Sequence, residues 1–79
     1  MKELVVNIAP FVLKQTVFIR EDGKITQLQI PQKEIASYIS LNTDIDVVHL
    51  FGSEKFTKKI HEECITKYNV NNIDFKFQE

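Results

Sequence analysis

The chain has 79 residues, with ten Lys and Arg against eleven Asp and Glu, and its formal net charge is -1. This length allows one domain, so we expect a single α/β domain over residues 1–79. Ten Ile and seven Val against five Leu favour a β-rich packed core. No apolar run approaches the roughly 18–20 residues that span a bilayer, and the N-terminus shows no signal-type segment. We therefore expect a soluble cytoplasmic protein without a membrane partner.

The first part of the chain predicts three strands. Glu3 to Ala9 is almost continuously apolar, which is typical of a central strand covered on both faces, and Pro10 ends it. A second strand from Lys14 to Arg20 leads into Glu21-Asp22-Gly23-Lys24, where Asp-Gly fits a tight hairpin. The return strand is predicted from Ile25 to Ile30, and its second face is mostly polar.

Two helices alternate with two further strands in the second part. Pro31 suits the first position of a short helix that runs to about Leu41, and Ile45 to Phe51 predicts an interior strand. Gly52-Ser53 closes that strand, and Ser53 is a plausible N-cap of a helix that runs to about Tyr68. A last strand from Ile73 to Phe77 alternates apolar and polar residues and is expected at an edge of the sheet.

The predicted element order is β-β-β-α-β-α-β. Three meandering strands followed by two right-handed crossovers give a five-stranded mixed sheet of order 3-2-1-4-5, in which only the second strand is antiparallel to the rest. This order resembles the ribonuclease-H-like superfold, over nearly the whole chain but in topology alone. The resemblance implies a truncated member of that superfold with two helices.

Nucleases of that superfold hold two divalent metals with carboxylates, and the corresponding positions are not matched here. Asn7 stands where the first strand would carry its acid, and Asp46 to Phe51 has no carboxylate at its C-terminal end. The actin-like branch needs a glycine-rich phosphate hairpin, but Ala9 to Thr16 contains neither glycine nor acid. We therefore expect neither nuclease nor nucleotide-hydrolysing activity.

The remaining polar candidates each have an ordinary structural interpretation. Gly52, Ser53 and Lys55 form a strand-to-helix junction that is either a possible anion-binding site or a normal capped helix start. The other candidates are interpreted as a buried, hydrogen-bonded His49, a solvated His61, a core Cys64, and solvated flanking carboxylates at Asp44 and Asp46. We predict no catalytic residues, no metal site and no cofactor.

Two apolar segments are possible interfaces. Phe11, Val12 and Leu13 follow a proline between strands, where a small monomer would normally place polar residues. Ile73, Phe75 and Phe77 lie on one face of the predicted edge strand, which could recruit another strand. The alternative is that these three side chains pack under the second helix, while Asp74, Lys76 and Glu79 discourage edge pairing.

These observations favour a small non-enzymatic protein-binding module. A core this small leaves a margin of a few kcal/mol, so self-association, as a homodimer, is the expected support. Such a protein would suit the role of an accessory or inhibitor protein of a phage or mobile element. The alternative is a catalytically degenerate ribonuclease-H-like protein that binds nucleic acid, which the slightly negative net charge disfavours.

Overall fold

One mixed sheet forms the frame of the computed structural model, which describes residues 1–78. The strands are β1 (Lys2–Asn7), β2 (Lys14–Glu21), β3 (Lys24–Pro31), β4 (Val47–Phe51) and β5 (Asp74–Gln78). They lie in the order β3-β2-β1-β4-β5. The β1–β2 and β2–β3 pairs are antiparallel, whereas the β1–β4 and β4–β5 pairs are parallel. The predicted strand order and orientation are confirmed. Glu79, the last residue of the predicted domain, lies outside the described residues.

Two helices follow the third and fourth strands, with boundaries that differ from the prediction. Helix α1 (Ile35–Leu41) is preceded by a 3-10 turn, Gln32–Glu34. Pro31 precedes that turn as its N-cap, with ψ at 140°, and also ends β3, so its predicted place as the first helical residue is wrong. The fixed φ of proline suits both the last position of a strand and the approach to a helix.

Helix α2 (Glu54–Glu62) is shorter than predicted, because its last turn widens. Residues Glu63–Lys67 form a π-helical turn in place of the expected α-helix to Tyr68. The Val70 N–H then donates to the Cys64 carbonyl at 2.9 Å. Both Cys64 and Val70 are buried in the core, so the wider turn brings two apolar side chains inward where a regular helix would end.

Both helices cover the same face of the sheet. Leu4, Val6, Val17, Val48 and Leu50 point from the strands into a cluster with side chains of the helices, and all five are fully buried. We call this side the covered face. The expectation that the first strand is covered on both faces is wrong, because Val5, on the other side of β1, is only half-buried. Neither helix in residues 1–78 has the length and apolar character needed to cross a bilayer.

Candidate interaction surfaces

Within residues 1–78, no helix lies against the opposite side of the sheet, which we call the open face. Because paired residues of neighbouring strands point to the same side, the pairing register places its side chains in three rows across the five strands. The rows are Ile25, Arg20, Glu3, Val47 and Asp74; then Gln27, Phe18, Val5, His49 and Lys76; then Gln29, Thr16, Asn7, Phe51 and Gln78. Val5 occupies the centre of this array.

A depression of about 450 Å³ crosses the open face along one diagonal. It runs from Ile25 in the first row on β3 to Gln78 in the third row on β5, and its floor includes Val5, Phe18 and Phe51. A twisted sheet is saddle-shaped, so one diagonal of a face is concave and the other is convex. The depression is the concave diagonal of this saddle, and its centre is apolar.

Charges of both signs surround that apolar centre in equal number. The Arg20 guanidinium donates to the Glu3 carboxylate, and His49 Nε2 lies 4.0 Å from the same carboxylate. Asp74 and Lys76 add one charge of each sign on β5. The formal charges of the two acids and two bases on this face cancel. His49 was expected to be buried and hydrogen-bonded, but its side chain lies on the open face, 19% exposed, with its contact to Glu3 beyond hydrogen-bond length.

A second apolar surface is the loop between β1 and β2. Phe11, Val12 and Leu13, which we call the apolar loop, are 105%, 51% and 91% exposed. The backbone of Phe11 has a φ of 65°, in the left-handed region that favours glycine. For a residue with a side chain this conformation costs roughly 1–2 kcal/mol. The loop therefore holds an aromatic ring in water at some cost in stability.

Gln15 fixes the base of the apolar loop. Its side chain is 1% exposed and lies on the covered face, two residues before Val17 and opposite Ile30 of β3. The Ala9 N–H donates to Gln15 Oε1 at 2.6 Å, and Gln15 Nε2 donates to the Val12 carbonyl at 3.1 Å. We did not single out this residue from the sequence. The sequence does contain one indication of its role: Gln15 is a polar residue two positions before Val17, so the alternation of the strand places it on the same side as that core residue.

The C-terminal residues predicted as an interface are divided between the core and the surface. Ile73 and Phe75 pack against the core beneath α2, whereas Phe77 is 46% exposed. His61, which was expected to be solvated, contacts both phenylalanine rings edge-on, with ring centroids 4.7 Å and 5.2 Å away. Much of the apolar surface of β5 is thus used within the fold, in contrast to the apolar loop.

The Gly52-Ser53-Lys55 junction is constrained by packing and partly neutralised. A Cβ on Gly52, whose φ is 144°, would lie 2.9 Å from the Ile8 carbonyl oxygen, so the close approach of the two strands requires glycine. The predicted Ser53 side-chain cap is not formed, and the Ser53 carbonyl instead accepts from Thr57. Glu54 brings a carboxylate into the first helical turn and pairs with Lys58 at 2.6 Å, which lowers the pKa of Glu54.

The remaining candidate polar residues take structural roles. Asn7 is exposed at the end of β1, in the third row of the open face. Asp46 accepts from the Lys2 backbone N–H at 2.8 Å, and Asp44 binds the Lys2 ammonium at 3.0 Å. The hydrogen bond to Lys2 lowers the pKa of Asp44 and raises that of Lys2. Both acids are exposed, as expected of solvated flanking carboxylates, and they also tie the loop before β4 to the start of β1.

The thiol lies in the core, as its predicted place on a helix face suggested. Cys64 is fully buried, and desolvation raises its pKa to about 11. A thiol with so high a pKa is almost wholly protonated at neutral pH and is a poor nucleophile. Within residues 1–78, no group of three His, Cys, Asp or Glu side chains is arranged to hold a metal ion.

The fold and surfaces define a small α/β protein with a five-stranded mixed sheet, helices on one side of it, and two apolar surfaces facing water. No protein-family model matches the chain, and no curated protein matches it in sequence.

Proposed function

We propose that this protein is a protein-binding module whose apolar loop contacts another protein. The supporting observation is the conformation of Phe11, whose ring is fully exposed while its backbone has a positive φ. A glycine at this position would relieve the strain, and a polar side chain would avoid the contact of the ring with water. A contact between the ring and a partner accounts for both features.

The size of the loop suits recognition of an apolar pocket on a protein. Phe11 and Leu13 are almost completely exposed, and together with Val12 they present roughly 300–400 Å² of mostly apolar surface. A few well-packed side chains, many of them aromatic, carry most of the affinity at protein interfaces. Gln15 supports the loop from inside the fold, so the three side chains are presented in a defined conformation before binding.

The proposal is tested by comparing variants in affinity capture from extracts of the source cell. We expect wild-type protein to retain a discrete partner that Phe11→Gly loses, although the same substitution leaves stability unchanged or increases it by up to about 1 kcal/mol. Leu41→Ala is the matched control, since Leu41 is also highly exposed but lies at the end of α1. Equal capture by wild type and Phe11→Gly would contradict the proposal.

Nucleic-acid binding by a catalytically degenerate relative of the ribonuclease-H-like superfold is the second candidate. The strand order and two phenylalanines on the open face, Phe18 and Phe51, favour it, because aromatic rings on a sheet can stack on bases. The balanced charges of that face and the Glu54–Lys58 pair oppose it. Titration of labelled single-stranded and duplex nucleic acid at two salt concentrations tests it, and we expect no binding even at low salt.

A further inference from the structure

We propose that the open face binds a second copy of this chain, so that the two sheets stack face to face around a two-fold axis lying between them along the strands. This goes beyond the proposed function, which concerns a different surface and a different partner. The open face combines an apolar centre with charged residues near its margins, as specific protein interfaces do. Three properties of the face favour a copy of itself as the occupant.

The first property is shape. A rotation of a saddle by half a turn about an in-plane axis along the strands gives a surface of identical curvature, which is why twisted sheets stack in near alignment. The convex diagonal of one copy then lies in the concave diagonal of the other. The depression between Ile25 and Gln78 would be filled by the Asp74 to Gln29 diagonal of the second copy.

The second property is charge. A face with a net charge would repel its copy, whereas this face carries two charges of each sign. The proposed axis places β2 and β3 of one copy over β4 and β5 of the other, so that Asp74 of the second copy faces Ile25 and lies one strand away from Arg20, within reach of its long side chain, twice per dimer. Glu3 approaches its own equivalent, but each Glu3 is already compensated by Arg20 of the same chain. An axis across the strands would instead place Lys76 directly opposite Lys76 of the second copy.

The third property is area. Five strands about 4.8 Å apart, with five residues of about 3.3 Å each, give a face of roughly 24 by 17 Å, or about 400 Å² in projection. Two such faces contribute about 800 Å² in projection, and side-chain relief raises the accessible area towards the roughly 1,000 Å² of the smaller specific interfaces. An interface of this size belongs with the smaller, weaker specific interfaces, and we expect a reversible dimer with a dissociation constant in the micromolar range.

Sedimentation equilibrium of wild type, Phe18→Glu and Thr66→Glu tests the association. Phe18 lies in the floor of the depression, and Thr66 is exposed on the turn after α2, so both variants add one charge, but only one of them adds it to the open face. We expect wild type and Thr66→Glu to dimerise alike and Phe18→Glu to raise the dissociation constant about 100-fold, because a carboxylate would be buried without a partner. A wild-type protein that stays monomeric at millimolar concentration overturns the proposal.

Cross-linking gives a test that does not depend on a disruptive variant. Val5 is the centre of the array, so an in-plane two-fold axis through that centre brings Val5 close to its equivalent. With a short bis-maleimide, Val5→Cys should form a cross-linked dimer, whereas Lys55→Cys on α2 should not. Wild type is the background control because its thiol is buried. A dimer in solution that Val5→Cys fails to cross-link overturns the face-to-face arrangement.

The direction of the two-fold axis is tested by removing one charge from the open face. Asp74→Asn should weaken the dimer about 5- to 10-fold by removing the attraction between Asp74 and Arg20 of the other copy, which occurs twice per dimer. Glu62→Gln, which removes a carboxylate from the exposed side of α2, should leave it unchanged. Equal effects of the two substitutions overturn the proposed axis. If the protein is monomeric but still captures a partner through its apolar loop, the dimer is overturned and the proposed function stands. If the protein dimerises but Phe11→Gly captures the partner as well as wild type does, the proposed function is overturned and the dimer stands.

Discussion

The two faces of the sheet are built from alternate residues of the same strands but are buried to different extents. Leu50 on the covered face is fully buried among side chains of the helices. Phe51, the next residue of β4, has a larger apolar side chain, which lies on the open face and is only half-buried. The core therefore accounts for the apolar residues of the covered face. The core does not account for those at the centre of the open face, and the proposed dimer would bury them.

The largest expected effect separates these two neighbouring residues. Leu50→Ala should cost about 2–5 kcal/mol of unfolding free energy, since it leaves a cavity in the core. Phe51→Ala should cost less than half as much at low micromolar concentration, because water already reaches the ring. Urea denaturation of both variants measures the difference. Equal losses would mean that the open face is covered within the monomer.

The next largest effect concerns Gly52, which follows β4 and lies against the backbone of Ile8 just after β1. Gly52→Ala should cost about 2–3 kcal/mol, because its Cβ combines a strained φ with a 2.9 Å contact to Ile8. Gly23→Ala is the matched control, since its φ is also positive but its Cβ would meet nothing within 4 Å. We expect about 1 kcal/mol for Gly23→Ala from strain alone. Similar costs for both would remove the packing contribution at Gly52.

A polar side chain on each face gives the third comparison. Gln15→Leu should cost about 1–3 kcal/mol, because the Ala9 N–H and the Val12 carbonyl lose their partner beside the core. Gln29→Leu on the exposed third row of the open face should change stability by less than about 0.5 kcal/mol. Thermal or urea unfolding measures both. If Gln15→Leu also weakens partner capture, its support of the apolar loop is established independently of stability.

The smallest effect on stability is expected at the start of β1, where Lys2 binds Asp44. The folded pKa of Asp44 is below its ordinary 3.8, so its contribution to stability is present above that pH and is lost as pH falls through the folded value. The folded pKa of Lys2 is above 10.5, so its contribution is present below that pH and is lost as pH rises through the folded value. Carboxyl NMR titration of Lys2→Met should show the Asp44 pKa returning towards 3.8. An unchanged pKa would show that Lys2 is not its cause.

The strand order was predictable because it depends on local patterns and general rules of chain connection. Asp22-Gly23 marks the hairpin, Gly52 follows the end of β4, and right-handed crossovers leave few topologies for the remaining elements; β1 itself ends at Asn7, before the predicted Ala9. Helix ends were less predictable. The π-helical turn after Glu62 and the position of Pro31 depend on how Cys64, Val70 and β3 pack, which no short sequence window contains.

The interaction surfaces were only partly predictable from the sequence. The sequence indicated that Phe11 to Leu13 form an interaction surface, since three apolar residues after a proline between strands need either a core or a partner. Phe75 was also indicated as an interface residue, by its place on an edge strand, but it packs beneath α2. Its burial depends on which helix lies over which strand. The open face escaped prediction for a related reason, since Val5, Phe18 and Phe51 are apolar residues like those of the core.

By itself, the sequence determined the elements, their order and the alternation that gives every strand two distinct sides, because these follow from backbone sterics and side-chain periodicity. The two crossovers run in the same direction along the sheet, so right-handed connections place both helices on one side. Only the tertiary structure decided which residues of each strand face those helices. That choice follows from the summed packing of side chains distant in sequence, and it left the centre of the open face uncovered.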